Sequence, residues 1–141
     1  MVTGNESINV KKRNGRGLEK LDIDKIHSMV EYAVEDITGV SASQIEMNSG
    51  LQFYDGMTTE EIQQILIKSA ADLINLNTPN YTYVASRLLL YSLRKQIFHK
   101  LWDHPHFFDH VKKTVELGMY DEEILKNYER KDFDRMENWI N

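Results

Sequence analysis

VKKRNGRGLEKLDIDKIH, residues 10–27, packs two short extended runs, a glycine-bearing turn and the opening of an amphipathic helix into one segment. The runs 10–13 and 18–21 flank Asn14-Gly15-Arg16-Gly17. Asn-Gly between extended runs predicts a hairpin, because both residues tolerate positive φ. Asp22 is the expected N-cap of the following helix, so the first backbone N–H groups of that helix face the side that carries Lys12 and Arg13. Helix N-termini attract anions, and Lys11, Lys12, Arg13, Arg16 and Lys20 all precede Asp24. The expectation is a phosphate-binding hairpin, with an ordinary solvated basic hairpin as the alternative. The glycine spacing fits neither a P-loop nor a dinucleotide fingerprint.

At 141 residues and 41% hydrophobic content, the chain suits one domain, or one domain plus an extension. No apolar run approaches the roughly 20 residues needed to span a bilayer, and residues 1–8 are too polar for a signal peptide. The chain therefore reads as soluble and cytoplasmic, with no membrane partner. With no cysteine it carries no disulfide, thiolate metal site or thiol chemistry. A net charge of −5 argues against a nucleic-acid partner and makes the basic cluster a local feature, suited to a small anion.

Residues 1–7 lack a pattern and read as a disordered tail. Ile26, Met29, Val30, Ala33 and Ile37 then recur on one helical face, with Thr38-Gly39 as the stop. Ser41-Ala42-Ser43-Gln44 predicts a capping box that opens a short second helix, and 56–58 a small third strand. Thr58-Thr59-Glu60-Glu61 predicts another box, leading into a third helix through Ile62, Ile65, Leu66, Ala70, Leu73 and Ile74. Thr78-Pro79 is expected to start a fourth helix over 80–101, threonine as cap and proline in the first turn. Its middle, 84–91, is apolar on nearly every side and reads as a helix surrounded by others. Lys95, four residues past Tyr91, is either a snorkelling lysine capping carbonyls or a site cation.

Beyond residue 101 the pattern predicts shorter helices over 106–117, 121–129 and 131–140. Apolar Met136, Trp139 and Ile140 so close to the last residue suggest a piece of a longer protein. His106 and His110, with Asp103, His104 and Asp109 nearby, are candidate metal ligands by residue type. They read better as caps and surface groups, so no metal held by protein side chains is expected. Glu60-Glu61 and Glu122-Glu123 suit first-turn carboxylates rather than an acid/base pair.

Taken together, Val10-Lys11-Lys12-Arg13-Asn14-Gly15, Glu19, Asp22-Ile23-Asp24-Lys25-Ile26, Asp55-Gly56-Met57-Thr58-Thr59-Glu60-Glu61-Ile62 and Tyr81-Thr82-Tyr83-Val84-Ala85-Ser86-Arg87-Leu88 resemble the ATP-cone, the allosteric nucleotide-binding domain of ribonucleotide reductases. Phe107-Phe108-Asp109-His110-Val111 and Gly118-Met119-Tyr120-Asp121 resemble the segment between the cone and the catalytic barrel in the large (alpha) subunit of class I ribonucleoside-diphosphate reductase. The resemblance implies a mainly α, α+β fold, a four-helix bundle capped by a two- or three-stranded sheet. The cone would cover 8–101, and a helical extension 102–141. It implies adenine against Val10, Leu21 and Ile26, with Glu19 and Asp22 reading its polar edge. Lys12, Arg13, Lys25, Thr59 and Lys95 would hold the phosphates, and Gln63, Tyr91 and Ser92 would line the site. One departure is the turn Gly15-Arg16-Gly17-Leu18, a residue longer than in close relatives.

The effector implied is ATP or dATP with Mg2+. The implied partners are the rest of the large subunit and the small radical-generating subunit. Members inhibited by dATP carry histidines where this chain has Gln63 and Ser92. Neither replacement can become a cation, so ATP and dATP are expected to bind within about tenfold of each other, with weak or absent dATP inhibition. Without cysteine the chain is not expected to reduce a ribose alone. Two other classes compete: a helical interaction module that binds no nucleotide, and a nucleotide-responsive repressor, which would need a cysteine zinc ribbon.

Overall fold

The computed structural model describes residues 8–12, 17–99 and 105–140. The expected tail at 1–7, the turn at 13–16, the end of the fourth helix near 101, and Asp103 and His104 lie outside them. Two strands, β1 (Asn9–Lys11) and β2 (Leu18–Lys20), precede seven helices among the described residues. These are α1 (Ile23–Val34), α2 (Ala42–Gly50), α3 (Thr59–Asp72), α4 (Tyr81–Phe98), α5 (Phe107–Glu116), α6 (Glu123–Asn127) and α7 (Arg130–Glu137). The fold is thus mainly helical with a small antiparallel sheet, the expected α+β class. The chain divides into two compact units, Met1–Leu93 and Arg94–Asn141, and the division falls within α4.

In the first unit the strands pair antiparallel with Val10 opposite Glu19, and the Leu21 N–H donates to the Ile8 carbonyl at 2.7 Å. Val10, Ile26, Val30, Ile45, Met57, Leu66 and Val84 are buried together with Tyr81 in its core. The expected third strand is a single parallel bridge from Lys11 to Thr58. Around it the Lys11 N–H donates to the Met57 carbonyl and the Gly56 N–H to the Asn9 carbonyl, both at 2.8 Å. Asp55 fixes the same strand from its side, since its Oδ1 accepts from the Asn9 backbone N–H (2.7 Å) and from Asn9 Nδ2 (3.0 Å). Gly56 allows this close turn at φ 83°.

Two caps form as expected. Asp22 accepts from the Lys25 N–H at 3.1 Å, and Thr58 and Glu61 close a full capping box on α3. The Ser41 box does not form. The Ser41 N–H instead donates to the hydroxyl of Tyr81 (3.0 Å), and that hydroxyl donates to Gln44 Oε1 (2.6 Å). A residue from α4 has taken both partners of the predicted cap. Thr78 likewise turns away from α4: its hydroxyl donates to the Leu73 carbonyl, a late acceptor of α3, at 2.7 Å.

The first helix is shorter than its apolar period. It ends at Val34, before Ile37, and Asp36 adopts φ 59°. Arg87 Nη1 donates to the carbonyls of Ala33 and Glu35, which satisfies acceptors that another helical turn would have used. The encircled fourth helix is also corrected. Its buried residues, Tyr81, Val84, Leu88, Tyr91 and Ser92, make one face, whereas Leu89, Leu90 and Leu93 are 46%, 49% and 41% exposed. His27 joins the first two helices, with Nδ1 2.7 Å from Glu46 Oε1.

In the second unit α5 packs on α7 around buried Val111 and Phe133. The rings of Phe107, Phe108 and Tyr128 surround Phe133, and the Arg130 guanidinium lies 5.1 Å from the Phe108 centroid. His106 and His110 are not brought to a common point by these contacts. His106 Nδ1 lies 3.3 Å from Glu137 Oε1, and His110 stands edge-on to Phe98.

Candidate functional site

The hairpin and the opening of α1 bring together four of the charged candidate residues. Lys12 and Glu19 form an ion pair across the two strands, both side chains about half exposed. One turn on, Lys25 Nζ lies 3.0 Å from Asp22 Oδ2 while the Lys25 N–H is capped by the other oxygen of the same carboxylate. The pairing acts on the acidities of Glu19, Asp22 and Lys25. The Lys12 ammonium holds the Glu19 carboxyl below its ordinary value, and the side chain of Lys25, then its backbone N–H, do the same for Asp22. Asp22 in turn raises Lys25, and the charges of Lys25 and Glu19 also act on one another. Four alternating charges thus occupy one exposed surface.

Beside them Val10 and Ile26 are buried and Leu21 is half-buried. Thr59, the first residue of α3, comes directly after Thr58, whose bridge to Lys11 sets the start of that helix against the end of β1. Asn9 and Asp55 are what sequence reading misses here. Asp55-Gly56 is visible as a turn, but its acceptor role toward a strand 46 residues away is not.

Along the seam between α3 and α4, Ser92 Oγ donates to Gln63 Oε1 at 3.3 Å. Both are nearly inaccessible, at 2% and 5% exposure, and Tyr91 next to Ser92 is buried too. Lys95 stands one turn beyond Tyr91, half-buried in the last turn of the helix. Arg13 lies outside the described residues. Among the described residues no group of three or more His, Asp or Glu side chains is arranged to hold a metal ion, and no helix is long and apolar enough to cross a membrane.

A basic hairpin feeding a capped helix, backed by further helices, makes a small, mainly helical domain with paired charges on one exposed surface. The model of the ATP cone domain family matches residues 8–96, and the chain belongs to that family. It is 43% identical over 136 residues to the ribonucleoside-diphosphate reductase 1 subunit alpha of Salmonella typhimurium, a match that covers 96% of this chain and 18% of that protein. It is 47% identical over 131 residues to the ribonucleoside-diphosphate reductase subunit alpha of Buchnera aphidicola from Acyrthosiphon pisum, covering 93% and 17%. The Helicobacter pylori subunit alpha is 45% identical over 124 residues, covering 88% and 15%. The chain therefore spans less than a fifth of the length of these relatives.

Proposed function

We propose that this chain is the allosteric adenine-nucleotide-binding region of a ribonucleoside-diphosphate reductase large subunit, acting in deoxyribonucleotide synthesis in the cytoplasm without catalysing reduction itself. One observation carries the reading: the ATP-cone match over 8–96 encloses every residue named for the site, from Val10 to Lys95. In this reading Val10, Leu21 and Ile26 offer an apolar bed for adenine. Lys12, Arg13, Lys25, Thr59 and Lys95 take the phosphates through charge-assisted hydrogen bonds. Mg2+ would arrive with the nucleotide, carried on its phosphate oxygens. The cone would run over 8–101 and the extension over 102–141. The remainder of the large subunit and the small radical-generating subunit are the partners.

Calorimetric titration of the chain with ATP, dATP and GTP in magnesium buffer tests it. Micromolar adenine-nucleotide binding with GTP excluded is the expected outcome; no adenine-nucleotide binding would sink the proposal and favour a helical interaction module.

A further inference from the structure

We infer that the lysines of the phosphate site are held by the site's own carboxylates, and that a polyphosphate binds by partner exchange, drawing Lys12 from Glu19 and Lys25 from Asp22. The inference rests on the nucleotide reading and deepens it by describing what the incoming phosphates must displace. The observation is the alternating array itself: Lys12 with Glu19 across the hairpin and Lys25 with Asp22 at the start of α1. Each pair joins a side chain assigned to the phosphates to one assigned to the base.

The chemistry favours exchange over simple addition. A polyphosphate brought within hydrogen-bond distance of Lys12 and Lys25 would meet two carboxylates at the same ammonium groups, and like charges at that range repel. Exposed ion pairs are weak, and although an ammonium bonds a carboxylate and a phosphate oxygen by the same kind of charge-assisted hydrogen bond, a polyphosphate brings several negative charges against the single one of each carboxylate. The lysines therefore change partner, and the released carboxylates become free acceptors. In the nucleotide reading those acceptors face adenine, so the phosphates would unlock the groups that read the base.

The test uses the full chain at low ionic strength with inorganic tripolyphosphate, which has phosphates and no base. Glu19→Gln keeps the side chain's shape and removes its hold on Lys12; Asp22→Asn does the same for Lys25, and asparagine caps a helix as well as aspartate. Each should tighten tripolyphosphate by about threefold, a factor within the range measured for exposed pairs. Asp24→Asn, in the first turn of α1, removes the same charge without touching either pair and should gain less. With ATP, Glu19→Gln should show no such gain, because the freed carboxylate is then missed by the base.

Equal gains from Asp24→Asn and Glu19→Gln would reduce the effect to net charge and overturn the inference. Undetectable or unimproved tripolyphosphate binding by Glu19→Gln would overturn it as well, while ATP binding by the unmodified chain would leave the nucleotide reading standing. If the unmodified chain bound neither ligand, that reading would fall and this inference with it.

Discussion

The hairpin entrance and the seam between α3 and α4 solve the same problem, how to hold polar side chains in place, in opposite ways. At the entrance Lys12, Glu19, Asp22 and Lys25 are charged, exposed and paired with one another. At the seam Gln63 and Ser92 are neutral, buried and bonded to each other. Water screens the first set, so its partners can be exchanged at small cost. Nothing screens the second, and a lost partner there leaves a desolvated group unsatisfied. Partners at the entrance can be exchanged with little loss, whereas those at the seam cannot.

The sharpest way to break this contrast is at the seam. Ser92→Ala should lower stability by about 1–3 kcal/mol in urea unfolding, because the Gln63 carbonyl loses its buried donor. An unchanged midpoint would mean the pair is as replaceable as a surface pair. The next largest effect concerns Lys95→Ala, which should weaken ATP about tenfold or more while the circular-dichroism spectrum is retained. Unchanged affinity in the folded variant would return Lys95 to the role of a snorkelling side chain.

Smaller still is the difference between effectors. With neutral Gln63 and Ser92 in place of the histidines expected in dATP-inhibited members, ATP and dATP should bind within about tenfold of one another. A ligand that does not distinguish two states shifts neither. Calorimetry with both nucleotides, and light scattering on the cone joined to its barrel as dATP is added, check this. A large dATP preference or a dATP-driven oligomer would show that the neutral seam does not decide the response.

The smallest effect belongs to another exposed contact, His27 with Glu46. The Glu46 hydrogen bond, then its charge, raises the His27 pKa above the ordinary 6.5. A raised folded-state pKa gives stabilisation that is complete below the unfolded value and lost as pH rises through the folded one. His27→Gln should therefore lower the thermal midpoint slightly at pH 5.5 and leave it unchanged well above neutrality. A difference independent of pH would assign His27 to packing alone.

How much of the fold is legible in the sequence depends on the range of each interaction. The Asp22 cap and the Thr58–Glu61 box reach only three residues, so the pattern that predicts them contains everything that forms them. The Ser41–Gln44 pattern is equally good locally, yet Tyr81, 40 residues from Ser41, offers a hydroxyl that serves both groups at once. Arg87 similarly ends α1 from 52 and 54 residues away, against an apolar period that points on to Ile37. The run of leucines in α4 misleads for another reason. Composition gives the number of apolar side chains but not how many neighbours surround the helix, and Leu89, Leu90 and Leu93 face outward. Of the candidate site, the cations are legible as a cluster, whereas their pairing with Glu19 and Asp22 depends on strand register and on the helix's first turn.

The tie between β1 and the turn at Asp55 also bears on the order of assembly during folding. The helices close through contacts three and four residues apart and form early, whereas β1 is stitched to Asp55, Gly56 and Met57 across more than 40 residues of chain. Contacts of such sequence separation carry a loop-closure cost before they return any stabilisation, and they are made late. The strand leading into Lys12 would then settle only after α1 and α2, which lie within that span, had taken shape. In a refolding experiment the helical circular-dichroism signal should accordingly rise before protection of the Lys11 and Gly56 amides from hydrogen exchange, the two amides that report the tie between β1 and the turn at Asp55.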